Sequence, residues 1–153
     1  MMKATLAQLF RASRGKPVLY EGQMVYAAVF RNVEKQGRFI VRFLKAIPNP
    51  IQALGIDIDP GTLIIAGEKA SKMILRLDTA PHIVEVMYVP SRKGSMISIF
   101  NEWINEDGGT DAWLMHAGML VEETGNKMIL RCSDGRREPT FDDLVVEIEF
   151  LES

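Results

Sequence analysis

The sequence predicts an all-β protein: a single antiparallel β-sandwich of jelly-roll type or a barrel, with one short N-terminal helix. Three observations predict it. Apolar and polar residues alternate over several separate stretches, the period of strands with one wet face. Turn-forming clusters part those stretches at short intervals: Lys35-Gln36-Gly37, Asp59-Pro60-Gly61, Ser91-Arg92-Lys93-Gly94 and Thr124-Gly125-Asn126. Past the N-terminal segment, no stretch holds the 3.6-residue period of a longer helix. At 153 residues the chain is expected to form one domain, residues 1–153, with a core of ordinary size.

The elements follow in order. Within residues 1–14, Leu6, Leu9 and Phe10 have the spacing of a short helix docked on the body. Lys3, Arg11, Arg14 and Lys16 precede the first acidic residue, Glu21, a pattern that mitochondrial transit peptides share. The segment is too weakly apolar for a secretory signal and the chain has no Asn-x-Ser/Thr acceptor, so a docked helix and a cytoplasmic location are expected. Met24–Val33 is apolar on both faces and reads as a central strand. Over residues 38–47, Phe39, Val41, Phe43 and Ile47 oppose Arg38 and Arg42. Pro48–Gly55 is irregular and reads as a crossover between sheets. Over 72–78, Met73, Leu75 and Leu77 face inward; Met128, Leu130 and Cys132 do the same, as do Leu144, Val146, Ile148 and Phe150. Eight or nine strands are expected.

The net charge of -2 hides an uneven distribution. Residues 1–50 hold nine Lys/Arg against two Asp/Glu, and residues 101–153 hold four against thirteen. The expected outcome is that basic and acidic strands lie side by side in one sheet and neutralise each other. The alternative is a basic nucleic-acid surface or an acidic cation site. Aromatics on the basic strands, Phe39 and Phe43, share the apolar face rather than the basic one, so no base-stacking platform forms and no nucleic-acid partner is expected. The longest apolar run, Met24–Phe30, has seven residues against the roughly 18 of a membrane-spanning helix, so no membrane partner is expected either.

Much catalytic machinery is missing. The single cysteine excludes an internal disulfide and a cysteine-based zinc site. His82 stands at a strand start and His116 within an apolar strand, with no paired-ligand spacing. No nucleophile elbow, Walker loop or dinucleotide fingerprint occurs. Asp57-Ile58-Asp59-Pro60-Gly61-Thr62-Leu63 resembles the Asp-x-Asp-Gly-Thr-Leu motif of haloacid-dehalogenase-type phosphatases, with Pro60 inserted and without that fold's helices. It reads instead as a strand ending in an Asp-Pro-Gly turn, Gly61 taking a positive φ.

The candidate functional constellation is acidic. A four-strand meander from Met96 to the C-terminus places the loops 105–111 and 133–142 at one end of a sheet. Glu106, Asp107, Asp111, Asp134, Glu138, Asp142 and Asp143 then share a rim. Clustered carboxylates with loop carbonyls suit calcium, the candidate cofactor, with Asp107, Asp111, Asp134, Glu138, Asp142 and Asp143 as candidate ligands. The bland reading is a pair of solvated turns with Arg136 and Arg137 as counter-ions.

Ser133-Asp134-Gly135 and Thr140-Phe141-Asp142-Asp143-Leu144-Val145-Val146 resemble the C-terminal signature of bacterial calcium-dependent fucose/mannose-binding lectins and similar calcium-binding β-sandwich domains. The resemblance aligns Asp143 with the family's Asp before the last strand, Phe141 with its aromatic, and Asp142 with its Asn. The loop here is one residue longer, Thr140 stands where the family has an acidic residue, and two arginines are added. The resemblance implies a non-catalytic module whose loop calcium binds sugar hydroxyls.

Three function classes are therefore carried forward: a non-catalytic β-sandwich binding module, calcium-dependent, for a carbohydrate or protein ligand; a structural homo-oligomer; and a small enzyme using Glu85 or Glu102. The first is the expected one, and no catalytic residue is assigned.

Overall fold

The computed structural model describes residues 4–151. Thr5 begins α1 (Leu6–Ser13) with a capping box: its hydroxyl accepts from the Gln8 N–H, and the Gln8 side chain accepts from the Thr5 N–H. Leu6 and Phe10 are buried and Leu9 is half-buried, so the helix docks as its spacing implies. Residues 1–3 of the expected N-terminal segment lie outside the described residues.

The described strands are β1 (Val18–Tyr20), β2 (Gln23–Val25), β3 (Val29–Val33), β4 (Gly37–Ala46), β5 (Gln52–Asp59), β6 (Gly61–Ile65), β7 (Glu68–Ala70), β8 (Lys72–Arg76), β9 (Ile83–Pro90), β10 (Ser95–Ile104), β11 (Thr110–Asp111), β12 (Gly118–Thr124), β13 (Lys127–Ser133) and β14 (Leu144–Leu151). Apart from β1 and β2, which pair as a separate hairpin, they form an antiparallel sandwich of two open sheets, not a barrel. The larger sheet has the order β12-β13-β14-β4-β9-β6-β7. In the smaller, β5 lies between β8 and β10, and β3 and β11 sit end to end on the far edge of β10. Between the sheets pack the inward rows the alternation marked, among them Phe39, Val41, Leu130, Val146 and Ile148 against Leu54, Ile56 and Ile97. A second cluster of Leu6, Phe10, Tyr20, Val25 and Phe141 fastens α1 and the β1–β2 hairpin to Leu120 of β12.

The charge asymmetry resolves within the larger sheet. β4 carries Arg38, Arg42 and Lys45 between β14 and β9. Arg42 reaches Glu147 at 2.9 Å and Glu149 at 2.8 Å, Arg38 reaches Glu85 at 3.3 Å, and Lys45 pairs with Asp142. Glu149 and Glu147 together hold the Arg42 guanidinium above its ordinary pKa. Basic and acidic strands do lie side by side.

Four expectations are corrected. Met24–Val33 is not a central strand: it splits into β2 and β3 around a single bridge at Tyr26, and β3 pairs only with β10. Its apolar residues serve two places, Val25 under the helix and Ala28 and Val33 between the sheets. The strand count is higher because β5–β6 and β7–β8 are runs that bend from one sheet into the other at Pro60 and Ser71, pairing with each other on both sides of the bend. Gly61 is absent from the positive-φ positions; glycine is needed because a Cβ there would meet Val89 O at 2.7 Å. In β4 the register slips opposite Val145/Val146, so Leu44 turns outward as a bulge, Ala46 takes the inner position, and Ile47 falls beyond the strand. The crossover before β5 is real, though shorter than expected, because the strand already begins at Gln52.

Candidate functional site

The acidic rim comes first. β10 belongs to the smaller sheet, so the four-strand meander is corrected to three strands, β12-β13-β14. Loop 133–142 instead lies against β10 and Leu114, across the sandwich rather than along one sheet. The Asn101 amide donates to Ser133 O at 3.0 Å, and a Cβ on Gly135 would lie 2.4 Å from Leu114 O and 3.0 Å from the Trp103 ring. β12 begins at Gly118, so His116 sits in a turn rather than a strand.

Each candidate ligand has a defined place. Asp134 and Asp143 are each 1% exposed and adjoin: the Asp134 N–H donates to Asp143 Oδ2 at 2.9 Å. Arg137 donates to Asp143 Oδ1 at 2.6 Å, the position a cation would take. Gln52, buried between the sheets, donates to Asp134 Oδ2 at 3.0 Å and to Pro50 O, leaving its own Oε1 without a partner. Asp142 pairs with Lys45. Asp107 and Asp111 gather around Asn105 instead: the Asp107 N–H donates to Asn105 Oδ1, and Asn105 donates to Asp111 Oδ1 at 3.2 Å. Glu138 is exposed. Among the described residues, no three His, Cys, Asp or Glu side chains are grouped as a metal ion requires.

The remaining reactive groups are separate. Cys132 is fully buried, and burial, then Asp143, pushes its thiol well above the ordinary range. Glu85 is exposed and pairs with Arg38. Glu102 lies on the outer face of the smaller sheet beside Phe100, both crossing the space above Gly55. Burial raises its carboxyl above the usual range, while Lys72 opposes the shift; its Oε2 has no partner.

A second region escaped the sequence reading. Along one side of the sandwich, a cleft of about 740 Å³ runs between β3 and β12, lined by Tyr26, Ala28, Val29, Phe30, Val121 and Glu123 with Arg14 and Lys16 at its mouth. A neighbouring cleft of about 350 Å³ continues past Phe30 to Phe10, Arg11 and Trp113. Another, of about 500 Å³, follows β3 to Arg31, Glu34 and Lys35. Phe30 is 59% exposed and Trp113 48%. Trp113 is fixed by a 3.0 Å hydrogen bond to Ala27 O and by ring contact with Phe100 at 4.5 Å. These clefts are lined by five cations and two carboxylates, a positive balance in a chain of net charge -2. The signal was present as the run Met24–Phe30, read as strand interior because it is apolar, and as the exposed triplet Trp113-Leu114-Met115. No helix among the described residues is long and apolar enough to cross a membrane. Comparison with protein-family models, with curated proteins and with solved structures returns no match.

Proposed function

We propose that the protein is a non-catalytic β-sandwich binding module for a protein ligand, which it takes in the side cleft between β3 and β12. The supporting observation is the cleft itself: Phe30 and Trp113 left about half-exposed in a concave apolar site, rimmed by Arg11, Arg14 and Lys16. Apolar walls with a cationic rim favour a partner that is apolar and acidic. Glu102 lines none of the described clefts, which weighs toward binding over carboxylate catalysis. The test is fluorescence polarisation with labelled synthetic peptides of alternating valine and glutamate, against peptides with lysine in place of glutamate. The acidic set binds, and Phe30→Ala or the Arg14→Glu, Lys16→Glu pair weakens it by about tenfold or more. Binding of single-stranded DNA with no acidic peptide bound overturns the reading.

A second reading keeps calcium and a carbohydrate ligand at the rim. What favours it is that two buried carboxylates, Asp134 and Asp143, share the one guanidinium of Arg137. It requires that millimolar calcium raise Tm and that Asp143→Ala remove the effect; an unchanged Tm ends it. The homo-oligomer reading has a surface of its own, the exposed row Ile83, Met87 and Val89 on β9. Its check is the sedimentation of wild type against Met87→Glu, which is monomeric if that row is the interface.

A further inference from the structure

We infer that the side cleft takes its ligand as an added β-strand: an extended segment of alternating apolar and acidic residues, hydrogen-bonded to the open edge of β12. This rests on the binding reading above and specifies the partner's conformation and pattern.

The backbone carries the argument. At Met119, β12 exchanges both hydrogen bonds with Tyr26, at 2.8 and 2.9 Å, and there the bridge ends. In an antiparallel ladder, alternate residues turn their N–H and C=O to the same edge. Val121 and Glu123 therefore present theirs on the edge Met119 uses, away from β13. Among the described residues nothing pairs with them there, and both line the 740 Å³ cleft. An unpaired row of strand donors and acceptors facing an apolar cleft is the template for strand addition.

Side-chain directions set the pattern. Odd-numbered residues of β12 face the inter-sheet side, where Met119 and Val121 pack with the core; Leu120 faces outward toward the helix cluster. A strand laid beside β12 alternates likewise. Its inward residues meet Val29, Ala28 and Val121, so they are apolar. Its outward residues pass the mouth formed by Arg14 and Lys16, so they are acidic. Glu122 offers little opposition because Arg131 bonds it at 3.2 Å. A second copy of the chain is a poor occupant: antiparallel self-pairing centred on the free stretch sets Glu122 against Glu122. The opposite edge of this sheet, β7, is exposed along all three residues and carries Glu68 and Lys69, with no such cleft beside it among those described.

The experiment compares Glu123→Pro with Glu123→Gln, using the labelled alternating valine–glutamate peptides. Proline removes one N–H from the open edge and none from the β12–β13 ladder, so Tm stays near that of Glu123→Gln. Glu123→Pro is expected to weaken peptide binding by about tenfold or more while Glu123→Gln retains it. In the wild type, amide hydrogen exchange at Val121 and Glu123 slows on peptide binding, whereas Leu120 and Glu122, already paired with β13, change little. Equal binding by both variants, with unprotected Val121 and Glu123 amides but weakened Phe30→Ala, overturns strand addition and leaves the cleft reading standing. No binding by any peptide overturns both.

Discussion

The acidic rim and the side cleft are opposites in how their polar groups are satisfied. At the rim, Asp134 and Asp143 are buried and engaged by Gln52, Arg137 and backbone N–H groups. In the cleft, the edge groups of Val121 and Glu123 and the rings of Phe30 and Trp113 face open space. The rim looks reactive in sequence because it is charged, yet its buried carboxylates are tied to Gln52 of β5 and to Arg137. The cleft looks inert because it is apolar, yet its aromatic rings are left half-uncovered. A group already bonded within the fold has less to offer a ligand than one left unpaired at the surface.

If that contrast is right, substitutions at the rim act on stability and substitutions in the cleft do not. The largest effect is expected from Gly135→Ala, where the new Cβ meets Leu114 O and the Trp103 ring: about 3 kcal/mol of destabilisation, measured by urea unfolding. Asp143→Ala follows, because it leaves the buried Asp134 N–H without an acceptor, at a cost of about 2 kcal/mol. A loss below about 0.5 kcal/mol in both would mean that the rim is not structural.

Glu102 gives a smaller, pH-dependent effect. Its folded carboxyl is raised above the unfolded value near 4.5, so between those two pKa values the native state binds more protons than the unfolded chain. Stability from this group is therefore present at low pH and lost as pH rises through the folded value. Glu102→Gln is expected to remove that decline and to have a higher Tm than wild type at neutral pH; parallel pH profiles contradict it. The smallest stability effect belongs to Phe30→Ala, within about 0.5 kcal/mol of wild type despite the loss of a ring, because the side chain is mostly exposed.

Legibility in the sequence followed the same division. Where one face is buried and the other wet, period-two alternation marked the strands and their inward residues, as with Phe39, Val41 and Phe43 or Leu144 through Phe150. The neutralisation of β4 by β14 was readable as charge balance. Sheet membership was not, because β10 alternates identically whichever sheet it joins. Nor was the cleft: Phe30 and Trp113 are as apolar as core residues, and only tertiary structure shows that nothing covers them. The bend at Pro60 read as a strand end, because Asp59-Pro60-Gly61 has the composition of a turn, and the bend at Ser71 was hidden because Glu68–Ala70 is exposed and carries no inward row. The rim residues were found by type, and Arg137 as a counter-ion six residues from Asp143, but Gln52 lies on β5 and only folding brings it to Asp134.

The pairing of β4 with β14 also has a consequence for synthesis on the ribosome. Arg42 and Glu147 are 105 residues apart in the chain. β9 supplies one neighbour to β4 early, but its other edge waits for the acidic strand. At about 5–20 residues per second, that edge stays open for about 5–20 s in every nascent chain. During that interval it is a basic strand with an unpaired row of N–H and C=O groups, able to pair with a neighbouring chain. The translation rate between Arg42 and Glu147 thus sets how long each new molecule is exposed to misassembly.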